Sequence, residues 1–209
     1  MTRRSLVFAC TLVFVFASAP LFAQPAATWQ IDSAHTAAQF SVTHMMVSTV
    51  RGQFNKTTGT VVWDGSDFSK AVVDVVIDAA SIDTREQRRD DHLRSADFFD
   101  VAKFPTLTFK STKIEPAGSG KLKMTGDLTM HGVTKQVVFD VTGPSAVLKE
   151  ANGTRVGASA TTKISRKDFG LNWNRAVEAG GVVVSDEVAI TLDVELVNRP
   201  AAVGKGAEG

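Results

Sequence analysis

The chain has 209 residues and is nearly neutral, with 23 Lys and Arg residues against 22 Asp and Glu residues. This balance argues against the concentrated basic face that nucleic-acid binding favours, and a single cysteine excludes a disulfide framework. The length is typical of one all-β domain, since barrels of about 200 residues are commonly a single unit.

The first 23 residues predict a cleaved export signal. Arg3 and Arg4 form a positive start, and the uncharged apolar run over residues 6–19 is too short for a membrane span, which needs about 20 residues. We expect the mature protein to begin at Gln24 and to reside in the periplasm. Cys10 would be lost with the signal, leaving 21 basic residues against 22 acidic ones.

Alternating apolar and polar residues predict short strands through most of the remaining chain. Trp29 opens the fold, and residues 45–50 break the alternation and are interpreted as a helical turn. Gly52 and Gly59 indicate bends within one long strand, and Asn152 with Gly153 is a hairpin signal. The predicted strands cover residues 36–44, 51–63, 71–78, 106–114, 121–131, 137–141, 156–164 and 182–197.

Roughly eight strands joined by short turns predict an all-β fold. We expect a lipocalin-like, eight-stranded antiparallel β-barrel with short helical insertions, formed by residues 24–199 and followed by a loose tail at 200–209. A barrel of this size either fills with side chains or holds one small ligand. A β-sandwich is the competing architecture, and patterning alone does not exclude it.

Residues 81–100 depart from the alternation and predict a helical excursion. Thr84 with Gln87 matches a capping box, which predicts a helix start. The charged run at 85–94 is interpreted as a salt-bridged, solvated helix face. Phe98 and Phe99 end the stretch, so the aromatic end is expected to face the interior.

Few residues suggest catalysis or metal binding. His35, His44, His92 and His131 are scattered without zinc-ligand spacing, and no G-x-S-x-G surrounds a serine, so we expect no metal and no nucleophilic catalysis. Asp90 beside His92 leaves an acid–base role open. The 13 phenylalanines and the lack of tyrosine suit a dry cavity for a hydrocarbon chain.

Eight short motifs stand in a specific order. The chain resembles the YceI-like family of exported polyisoprenoid-binding proteins, and the resemblance runs from Trp29 to about Val197. The motifs are WQIDxxH (29–35), FxVxH (40–44), VRGxF (50–54), SIDT (81–84), RDxHLRSxDFFD (89–100), KFP (103–105), HGVT (131–134) and RxDFG (166–170).

The resemblance implies an extended barrel that holds a long isoprenoid or similar amphiphile, with no catalytic residues. We therefore expect ligand contacts of three kinds, together with Phe169. Contacts to the tail are expected from Phe40, Val42, Phe54, Phe109, Leu128, Phe139, Ile190 and Leu192. A polar mouth is expected from His44, Arg89, His92 and Arg166. A lid is expected from Leu93, Phe98 and Phe99.

Three hypotheses follow from these patterns. The first is a periplasmic carrier or sequestering protein for an isoprenoid quinone, prenyl phosphate or related lipid, with no cofactor besides that lipid. The second is an enzyme that acts on such a lipid through the Asp90 and His92 region. The third is a packed, stress-related scaffold. No nucleic acid and no stable membrane insertion are expected, and the oligomeric state, including a homodimer, stays open.

Overall fold

The structure, a computed structural model, describes residues 26–176 and 181–199. The predicted export signal at 1–23 and the predicted tail at 200–209 lie outside the described residues, so both stay predictions. Within the described part of the chain, no helix has the length and apolar character needed to cross a bilayer.

The described residues form twelve β-strands and one α-helix. Three short 3-10 helices, Phe68–Lys70, Ala79–Ser81 and Arg166–Phe169, connect some of them. The strands are β1 (Ala27–Ile31), β2 (Ala37–His44), β3 (Ser48–Phe54), β4 (Thr57–Trp63), β5 (Val72–Asp78), β6 (Ile82–Asp83), β7 (Thr106–Pro116), β8 (Lys121–Met130), β9 (Val133–Thr142), β10 (Leu148–Glu150), β11 (Gly153–Ser165) and β12 (Val184–Asn198), and the helix is α1 (Gln87–Arg94).

Eight of these strands close into an antiparallel barrel. The order around the ring is β11, β9, β8, β7, β5, β4, β1 and β12, and β12 returns to β11. The closing pair is long, because it runs from Thr154 opposite Asn198 to Ser165 opposite Glu187. This closure confirms the predicted barrel, since a sandwich would leave two separate sheets.

Strand β8 shows how the alternating pattern fills the barrel. Met124, Leu128 and Met130 are buried, whereas Asp127 between them is exposed. Gly126 shares the inward face, and a Cβ there would lie only 2.4 Å from the Phe109 ring. The glycine therefore makes room for an aromatic side chain of the neighbouring strand.

Strand β12 changes its partner along its length. Strand β12 pairs with β1 at Val197 and Leu196, but with β2 from Asp193 back to Val184. Strands β3 and β4 follow the same course beside β2 and β1. The predicted single strand at 51–63 is therefore wrong in detail, since it is interrupted at residues 55–56.

The expected helical turn at 45–50 is also wrong. His44 pairs with Ser48 across the β2–β3 hairpin, so residues 45–47 form its turn. The Val47 amide donates to the His44 carbonyl over 3.1 Å and closes this turn. The alternation fails here because the chain reverses direction. A turn follows neither the alternating pattern of a strand nor the pattern of a helix.

Helix α1 starts later than the capping box predicts. Its N-cap is Glu86, whose side chain accepts from the Arg88 amide. The Thr84 hydroxyl and amide instead donate to Asp90 Oδ1, over 2.5 and 2.9 Å. The interpretation of the charged run as wholly solvated is wrong at Asp90, which is 5% exposed.

The rest of α1 is held to the barrel by a second charged residue. Arg94 donates through Nε to the Ala80 carbonyl over 2.9 Å and through Nη2 to the Ile82 carbonyl over 2.7 Å. Strand β6 in turn pairs with β3. The helix is therefore fixed to β6, and through β6 to β3, by an arginine that the charge pattern of the helix does not distinguish from its neighbours.

Candidate functional site

The barrel contains an internal cavity of about 360 Å³. Its wall is almost wholly apolar and draws on the ring strands, on β2 and β3, and on the segment around α1. Ligand pockets in proteins span about 300–1,000 Å³ and are lined mainly by apolar and aromatic side chains. The interior is therefore a candidate ligand site, in contrast to a fully packed core.

Fourteen of the fifteen predicted contact residues line this cavity. Their role as ligand contacts stays a prediction, because the structure shows their position alone. The fourteen are Phe40, Val42, His44, Phe54, Arg89, His92, Phe98, Phe99, Phe109, Leu128, Phe139, Arg166, Ile190 and Leu192. Leu93, the third predicted lid residue, also lines it.

Phe169 is the exception and lies outside the cavity wall. Its side chain is only 1% exposed and belongs to the hydrophobic core. Its carbonyl lies 3.2 Å from His131 Nδ1, at the turn between β8 and β9. Gly170 follows with a φ of 77° and is the C-cap of the 3-10 helix.

One aromatic cluster lines the cavity beside β2 and β3. The Phe54 ring lies 5.8 Å from the Phe40 ring and 5.7 Å from the Phe99 ring, centroid to centroid. Gly52 on β3 leaves the space for Phe40, because a Cβ there would lie 2.4 Å from Phe40 Cζ. Phe99 thereby fastens the segment after α1 to the barrel wall.

A second aromatic cluster joins α1 to the loop that precedes β12. The His92, Phe98 and Trp173 rings meet pairwise with centroids 4.9–5.1 Å apart. All three residues line the cavity. The adjacent residues Phe98 and Phe99 therefore attach the segment after α1 to two places, the loop before β12 and strand β3.

Arg166 is the most buried charged residue of the site, at 3% exposed. Its guanidinium donates to the carbonyls of Ser185, Leu171 and Trp173 and, over longer distances, to Val184 and Asp186. Burial lowers the pKa of this guanidinium. Because all five N–H donors have protein acceptors, Arg166 shapes the loop and has no donor left for a head group.

Arg89 differs from Arg166 in its remaining capacity. Nε donates to the Thr84 hydroxyl oxygen and Nη2 to the Thr84 carbonyl, both over 2.8 Å. Asp90 holds the same threonine from the other side. Two of the five donors are thus used, and the other three have no hydrogen-bond partner among the described residues.

The histidines near the cavity have separate partners. His92 Nε2 lies 2.9 Å from Asp97 Oδ2, whereas Asp90 is bonded to Thr84. The two residues of the acid–base hypothesis are therefore not hydrogen-bonded to each other. His44 ends β2 and lines the cavity beside Val183 and Val184.

Sequence reasoning missed the polar side chain of Thr57 in the cavity wall. Thr57 lines the cavity and is 5% exposed, and its hydroxyl has no hydrogen-bond partner among the described residues. A threonine at the start of a strand carries no signal that distinguishes an inward hydroxyl from an outward one. Trp173, which was not among the predicted contacts, also lines the cavity.

A polar cluster lies away from the cavity, at the bend between β1 and β2. The side chains of Asp32, His35 and Glu195 lie close enough to hold a cation, but Arg155 Nη1 donates to both carboxylates. Hydrogen bonds from His35 and Arg155 lower the pKa of Asp32 from 3.8 to about 2, and Glu150, Asp32 and Glu195 raise the pKa of Arg155. The guanidinium supplies the positive charge of this cluster.

A closed antiparallel barrel around an apolar cavity defines a lipocalin-like class of protein. A family model described as a YceI-like domain matches residues 29–196. The chain therefore belongs to the YceI-like family.

Individual relatives agree with this assignment. A UPF0312 protein of Vibrio cholerae is 40% identical over 152 residues, which cover 72% of this chain and 80% of that protein. The crystal structure of a Campylobacter jejuni YCEI protein is similar, with a TM-score of 0.65 and 32% identity over 76% of this chain and 90% of that one.

A more distant structure shares the fold alone. It is a polyisoprenoid binding domain from Saccharophagus degradans, with a TM-score of 0.60 and 16% identity, and the match covers 84% of this chain and 99% of that one.

Proposed function

We propose that this protein is an exported binding protein that holds a long-chain isoprenoid, or a similar amphiphilic lipid, inside its barrel. The observation that carries the proposal is the apolar cavity inside the closed ring of strands. Each buried methylene contributes about 0.8 kcal/mol. A prenyl tail of several units therefore supplies ample driving force after the cost of association is subtracted.

The comparisons support binding and leave the ligand open. The YceI-like family match and the similar Campylobacter jejuni structure support the proposal through the barrel fold. The Saccharophagus degradans domain, described as polyisoprenoid binding, supports the proposal through its fold. The signal-like first 23 residues support export to the periplasm.

The polar residues of the wall set the expected orientation of the lipid. Arg89 keeps three donors free of described partners, and His44 and His92 also line the cavity. A phosphate or carbonyl head would find donors there, while the tail would extend toward Phe109 and Phe139, whose rings meet at 5.3 Å. Head-group preference would thus come from Arg89 more than from Arg166.

Native mass spectrometry of protein purified without detergent tests the proposal. The expected result is a mass increment of a bound lipid, or uptake of added prenyl lipid by the empty protein. Purified protein that is empty and takes up no prenyl lipid, quinone or fatty amide would contradict it. Arg89→Gln should shift the preference away from prenyl phosphate and leave the uptake of an uncharged prenol intact.

The enzymatic alternative has less support from the geometry. Asp90 is committed to Thr84, and His92 is committed to Asp97. A lipid-dependent turnover that disappears in His92→Ala would nevertheless establish it. Unchanged turnover in that variant would remove the assignment.

A further inference from the structure

The turn between β2 and β3 presents unusually apolar residues to solvent. Met45 is 43% exposed, Met46 is 65% exposed and Val47 is 85% exposed. Val182, 37% exposed, lies beside them, because the Met45 amide donates to the Val183 carbonyl over 2.9 Å. Met45, Met46, Val47 and Val182 are called the apolar tip below.

The backbone of this turn is unfavourable for methionine. Met45 has a φ of 50° and Met46 a φ of 63°, both in the left-handed region. A hairpin turn with two positive φ angles strongly favours Asn followed by Gly. Residues that oppose the local conformation and also expose apolar surface indicate a role outside the stability of the turn.

The apolar tip is continuous with one end of the cavity. His44 precedes the tip on β2 and lines the cavity, as do Val183 and Val184 after Val182. Trp173 also lines the cavity. Ala176, three residues later, forms an antiparallel β-bridge with Val182 of the tip. A ligand that enters beside Trp173 would pass close to the exposed methionines.

The size and charge of the tip favour a bilayer over a protein partner. A stable protein interface buries about 1,200 Å² or more, far beyond what four side chains on a projecting turn supply. A membrane interface needs only a few inserted apolar side chains with cations nearby. Arg175 is exposed on the adjoining segment, and the acidic residues Asp186 and Glu187 are each paired with a lysine.

We infer that the apolar tip docks this end of the barrel onto a lipid bilayer surface, where the ligand tail passes between the bilayer and the cavity without crossing water. The inference rests on the proposed function for the identity of the cargo. Docking itself is a property of the tip and is measured without any cargo.

Vesicle flotation tests the docking. The mature chain from Gln24 is mixed with vesicles of phosphatidylethanolamine containing roughly one-quarter phosphatidylglycerol, which supply an anionic surface. The variant Met45→Asn/Met46→Gly removes the apolar side chains and supplies the residues that the turn favours, so it is expected to fold at least as well. We expect its vesicle affinity to fall about tenfold or more, since each methionine contributes through burial of its side chain.

A matched control separates the tip from general surface hydrophobicity. Val72 on β5 and Leu148 on β10 are 56% and 59% exposed, comparable to the methionines. The variant Val72→Ser/Leu148→Ser should float as the parent does. Equal flotation of the parent and the Asn-Gly variant, or equal losses in both variants, would overturn the inference.

A dye at the tip gives an independent readout. Cys10 is the only cysteine of the chain and precedes Gln24, so Met46→Cys in the mature chain can carry a single environment-sensitive fluorophore. A blue shift on addition of vesicles is expected. Emission that does not change would place the tip in water and would also overturn the inference.

The two proposals fail in distinguishable ways. Uptake of a prenyl lipid from vesicle-free solution reports the cavity and should be equal in the parent and in the Asn-Gly variant. Uptake without flotation would remove the docking and leave the binding function in place. Flotation without uptake would remove the binding function and leave the docking.

Discussion

The rings of Phe98 and Trp173 pack together with their centroids 5.1 Å apart. Phe98 follows helix α1, whereas Trp173 lies in the loop before β12, more than seventy residues later in the chain. The two irregular insertions of the barrel therefore meet at one end of the cavity. The two segments joined by this contact are called the cover below.

We predict that this cover controls how long a lipid stays bound. The variant Phe98→Leu/Phe99→Leu removes the aromatic contacts with Trp173 and Phe54 and keeps apolar side chains at both positions. We expect the release rate of a bound fluorescent lipid to rise about tenfold, which corresponds to about 1.4 kcal/mol of lost contact in the closed state. Stopped-flow transfer to acceptor vesicles measures this rate.

Asp91→Asn is the matched control for the lid variant. Asp91 is exposed on α1 and pairs with Arg94 over 3.1 Å. Surface pairs of this kind contribute little to stability. A larger effect on release from Asp91→Asn than from the phenylalanine variant would show that the excursion is a polar site.

Asp90 is expected to be essential for stability despite its place in a charged run. Asp90→Ala leaves the buried Thr84 amide and hydroxyl without their acceptor. An unsatisfied buried donor costs about 1–3 kcal/mol. We expect the free energy of unfolding in urea to fall by about that amount, whereas Asp91→Ala should change it by less than about 0.5 kcal/mol. Equal effects at the two positions would contradict the buried geometry.

The Asp32 cluster predicts a specific loss of stability in acid. Hydrogen bonds from His35 and Arg155 lower the pKa of Asp32 from 3.8 to about 2 in the folded protein. A carboxyl with a lowered pKa stabilises the fold fully above its ordinary pKa and loses this contribution as the pH falls toward the folded value. The difference in stability between the wild type and Asp32→Asn should be constant above about pH 5 and should shrink between about pH 4 and pH 2. Thermal unfolding across this range measures it, and a difference that grows in acid would contradict the sign.

Thr57 predicts a trade between stability and ligand choice. Its buried hydroxyl faces the cavity and has no partner among the described residues. Thr57→Val keeps the shape and should raise the stability of the empty protein by about 1 kcal/mol. Retention of a pure hydrocarbon should be unchanged, and retention of an oxygen-bearing lipid should weaken if its oxygen reaches this depth. Competition binding measures the ratio of the affinities for the two types of ligand. A Thr57→Val variant that is less stable than the wild type when empty would show that the hydroxyl already has a hydrogen-bond partner.

Local patterns predicted much of the barrel correctly. The alternation in β8 assigns Met124, Leu128 and Met130 to the interior because side chains of a strand alternate between two faces. The Asn152 and Gly153 pair predicted the hairpin of β10 and β11, which pair beside that turn. Phe109 and Phe139, which the family resemblance led us to expect as tail contacts, lie on the cavity wall.

The predictions failed where the partners of a side chain depend on the folded path of the chain and not on the local sequence pattern. Thr84 was expected to cap α1, but Asp90 and Arg89 hold it instead. Arg166 was expected to offer its charge at the mouth, but its donors bind backbone carbonyls up to nineteen residues away and the Asp186 carboxylate. Phe169 was expected in the cavity, but its side chain is packed in the hydrophobic core.

The sequence by itself determined the class of this protein: alternation specified the strands and their inward faces, and eight ordered motifs indicated the YceI-like family. Only the tertiary structure decided that the ring of strands closes through β11 and β12, that the cavity stays open inside it, and that Phe98 reaches Trp173. The physical reason is that alternation follows from neighbouring residues. A cavity, a lid and a buried hydrogen bond instead depend on which distant segments share the same space.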